Sequence, residues 1–557
     1  MVDFLQLLIP LVIRDAIDLL ASDTVPAHAI LRPCGAIVAI ALVIVFFRYV
    51  WRLLIFGHAR KVEEGLRNRL YSHLQTLSPS FYQNTNTGDI MARATHDINA
   101  VRMAAGMGLV ALTDGLVLGM AAVGFMVSIN LRLTLISLIP APLVVVLSRI
   151  LTRRMSVGFQ SVQKSFSDLT ERIREAFSGI RVIKAYNREM WQYEGVKDSS
   201  EQYLAVNMKQ AKSLALFFPV MAVFTNVGLA VVIWMGGRLT ILGSITMGDF
   251  VAFTGYLNLL TWPMMAMGWV TSLIQRAWAS MGRINSILEQ VPEITDMESP
   301  RTAPRIRGGI EFRDLSIRYP GQKRPALKDV RLEIKAGETV AIAGGVGAGK
   351  TTLLQAVPRL LDVPYGTLYV DGRDVRTIPL KVLRGNIGFV TQEPFIFSDT
   401  IRNNVLFGLQ DVSSDKLETV LTTADIMEEI LALDNGLDTL LGERGITLSG
   451  GQRQRLTIAR ALLPDPPVLI LDDALSMVDI HTEKNIWDRI ISERRDRTNL
   501  IVSHRVSTLS RANRIVVLEQ GCLVEQGTHD TLVAMGGVYA RLYRRQELVR
   551  KLETGDA

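Results

Sequence analysis

The stretch ETVAIAGGVGAGKTTLLQAV (338–357) decides the fold of the C-terminal half of the chain. A β-rich run, VAIAG, leads into a glycine-rich loop, and a stretch with the apolar spacing of a helix follows. The residues that fit the pattern G-x-x-x-x-G-K-[ST], together with one further glycine, are Gly344, Gly347, Gly349, Lys350 and Thr351. Such glycines let backbone N–H groups close around phosphate oxygens at a helix N-terminus. The stretch therefore predicts a nucleotide site, in which Lys350 neutralises the β- and γ-phosphates and Thr351 ligates Mg²⁺.

A second stretch, PVLILDDALSMVD (467–479), reads as a buried strand that ends in two adjacent carboxylates. Buried carboxylates are costly unless something binds them. Beside a phosphate-binding loop, we expect Asp472 to hold the Mg²⁺ of the nucleotide. Asp473 then stands where a carboxylate orients or deprotonates the attacking water.

A third stretch, LSGGQRQR (448–455), places a small hydroxyl and two glycines before a predicted helix. The residues of this second phosphate-binding nest are Ser449, Gly450, Gly451 and Gln452. One chain would then have two sites where backbone N–H groups surround a phosphate, called nests, and only one of them would be a P-loop. We therefore expect the second nest to serve a nucleotide that is bound mainly by a partner chain.

With these motifs the sequence resembles the ABC transporter superfamily over essentially its whole length, since LSGGQ about twenty residues before such a strand is the signature of that superfamily. The resemblance implies that the cofactors are ATP and Mg²⁺. It also implies that Tyr319 stacks on adenine and that Thr352 belongs to the nucleotide-binding set. Gln392 corresponds to a glutamine that meets Mg²⁺ and senses the membrane half, Asp479 to the D-loop aspartate, and His504 to the switch histidine that contacts the γ-phosphate. GERG (442–445) is similar to the exporter-type X-loop.

The composition of the chain predicts a membrane part joined to a soluble part. Mean hydropathy is +0.24, yet 21% of the 557 residues are charged, and this length exceeds what one core organises. Two distant cysteines argue against a disulfide framework and suit a protein that faces the cytosol. We attribute the net charge of +7 to the cytoplasmic ends of membrane spans and not to nucleic-acid binding.

Apolar runs near the length that a bilayer requires, ~20 residues, alternate with long basic segments in the first half. The runs cover about 34–57, 106–129, 133–151, 215–237 and 249–274. By the positive-inside rule the basic segments 58–105 and 152–214 are cytoplasmic, and their spacing predicts helices that continue out of the membrane. The apolar run 5–13 is too short to span, since Arg14, Asp15 and Asp18 follow it. We expect either an upstream start or a short first helix.

These patterns predict four segments and a fold class. The segments are a transmembrane domain (1–285), a linker (286–308), an α/β nucleotide-binding domain (309–545) and a C-terminal tail (546–557). The resemblance implies an all-α polytopic domain of the ABC exporter type, with six helices and a short first one, followed by a P-loop domain. Residues 87–102 and 179–189 are similar to the two cytoplasmic loops of such exporters. The chain also looks like bacterial multidrug half-transporters of the MdlA kind, which lie in the inner membrane.

The acid at position 473 sets this chain apart from most members of the superfamily, which have Glu there. Asp is shorter by one methylene, roughly 1.5 Å, and a displacement of about 1 Å can lower a rate about a hundredfold. In heterodimeric exporters one site often has such a weakened acid, so the resemblance favours a heterodimer in which this chain provides the slow site. A homodimer with Asp473 as a working base is the alternative. An ATP-gated channel or regulator on the same fold is another.

The transported substrate is not specified by any motif. On the last apolar run, the bulky apolar side chains are Trp262, Met264, Met265, Met267 and Trp269. Thioethers and aromatic rings suit a promiscuous surface for an apolar or amphipathic drug, lipid or peptide. Ordinary helix packing or lipid contact is an equal alternative. Pro140, Pro142, Pro219 and Pro263 are predicted to bend their helices.

Overall fold

The computed structural model describes residues 1–22, 27–296, 305–442 and 448–554. The chain forms two compact units. The first contains Met1–Gln75 and Thr85–Gln290, and the second contains Thr76–Asn84 and Val291–Ala557. A short stretch of the N-terminal half thus belongs to the C-terminal unit.

The first unit is entirely helical where it is described. Its helices are α1 Val2–Leu20, α2 Leu31–Leu74, α4 Thr87–Ile129, α5 Leu131–Ser137, α6 Ala141–Ser178, α7 Ile180–Ala185, α8 Glu189–Val231, α9 Gly237–Ile241 and α10 Met247–Leu288, while α3, Pro79–Asn84, lies in the second unit. The 44 residues of α2 make it about 66 Å long at 1.5 Å per residue, twice the hydrocarbon thickness of a bilayer. Helices α6 and α8 are similarly long. The prediction that the basic segments are helical extensions of the spans is confirmed.

Within the described residues, four helices are long and apolar enough to cross a membrane. They are His28–Leu74, which is α2 with the turn before it, Thr87–Ile129 (α4), Leu131–Ser178 (α5 and α6 taken together) and Met247–Leu288 (α10). The predicted run 215–237 lies on α8 and its continuation, where the shorter apolar helix Asn226–Ile241 is found. The four longer helices contain the other four predicted runs, whose prediction is confirmed.

Helix α1 includes the charged residues that follow its apolar run. Asp18 accepts hydrogen bonds from the Thr246 hydroxyl (2.8 Å) and from the Gly248 backbone N–H (2.8 Å) at the start of α10. Further along, the Tyr256 hydroxyl donates to the Leu7 carbonyl at 2.9 Å. The carboxylate of Asp18 therefore supplements the N-terminal cap of α10, and α1 is a 19-residue helix and not a ten-residue one.

The four prolines occupy two kinds of position. Pro219 and Pro263 lie inside α8 and α10, and the bends expected there stay predictions. Pro140 and Pro142 instead mark a break, because α5 ends at Ser137 and α6 begins at Ala141. The missing N–H of each proline suits the first turn of a helix, so a new helix begins there.

Asp97 connects two of the long helices outside the predicted apolar runs. It lies on α4 and accepts hydrogen bonds from Ser280 (2.9 Å) and from Arg283 Nε (2.9 Å), both on α10. Burial alone would raise the pKa of the Asp97 carboxyl, but the hydrogen bonds from Arg283 and Ser280 outweigh it and leave that pKa below 3.8. The pair is thus held in its charged form.

The second unit contains a six-stranded and a four-stranded sheet. The strands are β1 Ile310–Ile317, β2 Leu327–Ile334, β3 Thr339–Gly344, β4 Leu368–Val370, β5 Arg373–Asp374, β6 Ile387–Val390, β7 Val468–Asp472, β8 Thr498–Val502, β9 Arg514–Glu519 and β10 Cys522–Gly527. The larger sheet has the order β10-β9-β3-β8-β7-β6, in which all neighbours except β10 and β9 are parallel. The smaller, antiparallel sheet has the order β2-β1-β4-β5.

Strand register brings the sequence motifs to one edge of the larger sheet. Val502 of β8 is the partner of both Ile342 on β3 and Asp472 on β7. The P-loop, the paired acids and the loop that carries His504 therefore all begin where parallel strands end. Ligands of α/β sheets bind at such an edge.

Helices complete the second unit around these sheets. They are α11 Lys350–Ala356, α12 Leu380–Gly385, α13 Ile401–Leu406, α14 Ser414–Thr423, α15 Met427–Leu431, α16 Gly450–Leu462, α17 Ile480–Glu493, α18 Val506–Leu509, α19 His529–Met535 and α20 Val538–Thr554. The core side chains of β1–β4 pack with α11, and a second core surrounds Trp487 and the apolar faces of α14 and α16. The predicted tail from residue 546 continues α20 as far as Thr554.

Candidate nucleotide site

Two glycines of the P-loop are required by their backbone geometry. Gly344 and Gly349 have φ angles of +153° and +97°. A Cβ atom added at Gly344 would lie 2.4 Å from the Leu518 carbonyl oxygen, and one at Gly349 would lie 2.5 Å from the Ala326 carbonyl oxygen. Any side chain would therefore push the loop off the neighbouring backbone. Gly349 also ends the loop as the N-cap of α11.

The Lys350 side chain folds back over the loop. Its Nζ donates to the carbonyl oxygens of Gly344 and Gly345, both at 2.9 Å. Burial lowers the pKa of this ammonium, and the carboxylates of Asp473 and Asp472 oppose that change. The ammonium is thus placed above the loop, with carbonyl partners that phosphate oxygens can replace.

Asp472 and Thr351 place two oxygen atoms that can ligate a metal ion next to the P-loop. Asp472 is the last residue of β7, and its carboxylate accepts a hydrogen bond from the Thr351 side chain. Burial raises the pKa of Asp472, and the Thr351 bond works against it. A carboxylate, a hydroxyl and phosphate oxygens are ligands that Mg²⁺ prefers. The donor set fits that ion, with Gln392 at the wall of the same cavity.

Asp473 leaves the strand in a left-handed conformation. Its φ is +49°, and its N–H donates to the Val502 carbonyl at 3.0 Å. Its carboxylate accepts from the backbone N–H of His504, and burial raises its pKa against the opposing effect of His504. Asp473 Oδ2 lies 4.0 Å from His504 Nε2, beyond hydrogen-bond distance. The two side chains face each other without touching.

These groups surround a cavity of about 750 Å³, within the size range of small-molecule sites. The sequence-predicted residues that line it are Tyr319, Gly347, Gly349, Lys350, Thr351, Thr352, Gln392, Asp472, Asp473 and His504. The Tyr319 hydroxyl lies 3.2 Å from Thr352 Oγ1, which holds the ring at the wall. The stacking role of Tyr319 stays a prediction.

The second predicted nest lies away from this cavity, at the start of α16. Ser449 and Gln452 form a reciprocal cap, in which Ser449 Oγ accepts from Gln452 N–H (3.2 Å) and Gln452 Oε1 accepts from Ser449 N–H (2.7 Å). Gln452 Nε2 also donates to Glu429 at 2.7 Å. Met477 covers one side of the nest, since a Cβ at Gly450 would lie 2.8 Å from its Sδ. The pattern S-x-x-Q predicts such a capping box.

Asp479 acts as a helix cap. Its carboxylate accepts from the backbone N–H groups of Thr482 (3.0 Å) and His481 (3.1 Å) at the start of α17. The hydrogen bonds from Thr482 lower its pKa. The D-loop residue therefore has a structural role within this chain.

The remaining predicted residues are those of GERG and the bulky apolar side chains on α10. Most of GERG lies outside the described residues, as does the side chain of Met265. Trp262 and Met267 are exposed on α10, whereas Met264 and Trp269 are partly buried.

The sequence did not indicate two residues that fix the loop after Asp473. Gln454 is fully buried; its Nε2 donates to Ser476 Oγ (3.1 Å) and its Oε1 accepts from Met477 N–H (2.9 Å). Arg505 donates to the Val478 carbonyl at 2.9 Å. Each contact joins segments more than twenty residues apart, so a local motif cannot reveal it.

A P-loop ATPase unit preceded in the chain by membrane-length helices defines an ATP-driven membrane transporter. Residues 1–264 match the family described as ABC transporter transmembrane region, and residues 327–476 match the family described as ABC transporter. The chain belongs to the ABC transporter family and is an exporter-type half-transporter.

Relatives cover nearly the whole chain. It is 36% identical to the multidrug resistance-like ATP-binding protein MdlA of Escherichia coli strain K12, over 99% of the chain and 93% of that protein. It is 35% identical to the ATP-dependent lipid A-core flippase of Syntrophus aciditrophicus strain SB, over 92% of the chain and 85% of the flippase. A solved structure of a bacterial Atm1-family ABC exporter with ATP bound superposes with a TM-score of 0.81 at 25% identity, covering 98% and 97% of the two chains.

These matches establish the general activity. The protein is a multi-pass membrane protein with a cytoplasmic ATPase domain, and it couples ATP hydrolysis to transport. The exporter fold works as a dimer.

Proposed function

We propose that this chain is one half of a heterodimeric exporter and that its P-loop forms the slow ATP site of the pair. The observation that carries the proposal is the short acid, Asp473, in an otherwise complete site. Its carboxylate lies 4.0 Å from His504 Nε2, and one methylene fewer than Glu withdraws it from the attacking water by roughly 1.5 Å. Such a displacement lowers hydrolysis strongly and leaves binding intact.

The remaining residues of the site have roles in binding. Backbone N–H groups of the P-loop and Lys350 hold the phosphates, and Tyr319 stacks on the adenine. Thr351, Asp472 and Gln392 would hold Mg²⁺, which would neutralise negative charge on the phosphates. His504 holds the γ-phosphate. ATP therefore binds at this site and stays bound for a long time, because its hydrolysis there is slow.

The signature nest completes the other site of the dimer. Ser449, Gly450 and Gly451 present a helix N-terminus away from this chain's own cavity, and a helix N-terminus favours a phosphate. In the dimer this nest closes on the γ-phosphate of the ATP bound by the partner. Two ATP molecules between the nucleotide-binding domains then drive alternating access of the membrane helices.

The cargo is an apolar or amphipathic molecule, a drug, lipid or peptide, moved out of the cytoplasm. The names of two relatives refer to multidrug resistance and to lipid A-core, and both suggest amphipathic cargo. Exposed Trp262 and Met267 on α10 add an adaptable apolar surface.

The experiment that tests this proposal measures ATPase rates of co-purified dimers that carry one substitution each. Asp473→Asn should lower turnover only modestly, whereas the equivalent change in the partner's acid should nearly abolish it. Ser449→Arg should be severe, because it blocks the nest that closes on the fast site. Asp415→Asn, an exposed carboxylate on α14, is the matched control and should have no effect.

Two outcomes contradict the slow-site proposal. Asp473→Asn alone could abolish turnover, or the chain could purify as an active homodimer. In either case Asp473 is a working catalytic base, and the exporter has equivalent sites.

A further inference from the structure

The C-terminal helix α20 contacts the loop that carries His504 through one side chain. Gln546 Nε2 donates to the His504 carbonyl oxygen, and Gln546 Oε1 accepts from the Val506 N–H at 2.9 Å. A single amide thus bridges two backbone groups, about forty residues away in sequence. This loop is short, since β8 ends at Val502 and α18 begins at Val506.

Helix α20 is firmly anchored two turns before Gln546. The Glu525 carboxylate accepts from the backbone N–H groups of Val538 (2.5 Å) and Tyr539 (3.1 Å). The Tyr539 ring is fully buried, and its hydroxyl lies 2.9 Å from His529 Nδ1. Tyr539 and Gln546 are seven residues apart and share a face of the helix. The anchored face is therefore the one that reaches the loop.

The peptide groups of His504 are held from both sides. Its N–H donates to the Asp473 carboxylate, and its C=O accepts from Gln546. The imidazole itself is half-exposed and lines the nucleotide cavity. With both backbone hydrogen bonds in place, only rotation about the side-chain bonds of His504 changes the direction of the imidazole.

We propose that Gln546 is a positioning residue that holds His504 where its imidazole meets the γ-phosphate. This inference rests on the proposed role of His504 at the slow site. Without the two amide bonds the loop between β8 and α18 gains freedom, and the imidazole spends less time at the phosphate. A bound ATP then leaves sooner, although the P-loop binds it as well as before.

The test follows ATP held by this chain in the purified dimer. The dimer is loaded with a labelled photoreactive ATP analogue, chased with unlabelled ATP, and cross-linked at intervals, so that label on this chain reports retention at its own site. Gln546→Met keeps the side-chain volume but loses both bonds. It should release the label about tenfold faster than wild type, with unchanged labelling before the chase. Arg545→Ala, an exposed neighbour on the same helix, should retain it normally.

The His504→Ala variant separates the failure of this inference from the failure of the site assignment. His504→Ala should also release the label about tenfold faster, and the double variant should be no faster than His504→Ala alone. If Gln546→Met retains the label while His504→Ala does not, or if the two effects multiply, Gln546 does not act through His504. If His504→Ala itself retains the label, the proposed role of His504 is wrong.

Discussion

Asp473 combines a short side chain with an unusual backbone. Its φ of +49° lies in a region that, apart from glycine, mainly Asn and Asp adopt. Glutamate would bring the carboxylate closer to the nucleotide, but it adopts a positive φ less readily than Asp does. Backbone preference and catalytic reach therefore act in opposite directions at this position. We expect Asp473→Glu to raise hydrolysis at this site at a small cost in stability.

Lys350 is the residue whose loss should most weaken ATP binding. Lys350→Ala removes charge-assisted hydrogen bonds to phosphate, each worth about 1.5–3 kcal/mol, so affinity at this site should fall about 10- to 100-fold. Labelling of this chain by a photoreactive ATP analogue at increasing concentration measures the change.

Lys328 provides the control for that substitution. It lines the same cavity, but its side chain is exposed at the rim. Lys328→Ala should change the labelling little. Equal losses at the two lysines would show that general positive charge, and not the P-loop position, draws the nucleotide to the cavity.

At the scale of elements, the ion pair between Asp97 on α4 and Arg283 on α10 should stabilise the helical unit. Asp97→Asn removes a charged acceptor from Arg283. We expect a cost of about 1–2 kcal/mol, at or below the lower end of the range for charged hydrogen bonds, because Arg283 is half-exposed. The melting temperature in detergent should fall by roughly 2–4 °C. Asp168→Asn, an exposed carboxylate on α6, should leave it unchanged.

The difference in melting temperature between wild type and Asp97→Asn should depend on pH with a definite sign. Since the folded pKa of Asp97 is lowered, its stabilisation is fully present above the unfolded pKa of about 3.9. It is lost as the pH falls through the lowered folded pKa. The melting temperatures of wild type and Asp97→Asn should therefore differ at pH 7 and converge below about pH 4. A constant difference down to pH 3 would contradict the assignment of the stabilisation to this carboxylate.

The elements that the sequence predicted well are those with local causes. Residues 338–357 carry their strand, loop and helix in one pattern, and strand register then brought Asp472 and Val502 to the same edge. Pro140 and Pro142 were predicted to bend a helix, and the structure has a short turn there, between Ser137 and Ala141. Proline spacing alone does not show that a helix ends and a new one begins. Gln546 was predicted to begin a C-terminal tail. Its contacts with residues 504 and 506 could not be predicted, because they depend on how distant segments fold together.

At the scale of the whole molecule, the stretch Thr76–Asn84 and the start of the linker share one cluster of hydrogen bonds. Ser80 Oγ donates to Glu293 Oε2 at 2.5 Å, and Ser78 Oγ lies 3.4 Å from the same oxygen. Nearby, Leu380 N–H donates to Asp296 at 2.7 Å. At both of its ends this stretch continues along the chain into long helices of the first unit.

Glu293→Ala should weaken communication between ATP hydrolysis and transport. Each lost hydrogen bond is worth about 1 kcal/mol, so we expect substrate stimulation of the ATPase to fall several-fold while basal hydrolysis is retained. Glu289→Ala, an exposed carboxylate four residues earlier, is the control. Unchanged stimulation in Glu293→Ala would show that the cluster only stabilises the linker.

The assignment of Thr76–Asn84 to the second unit also bears on how this protein can be dissected. The ATPase unit is assembled from two stretches of polypeptide separated by some two hundred residues. A recombinant fragment that begins at Val291 would lack one of these stretches and leave the Glu293 carboxylate without its two serines. Adding a synthetic peptide of residues 76–84 in trans should then raise the thermal stability of that fragment, as in complementation of a split protein.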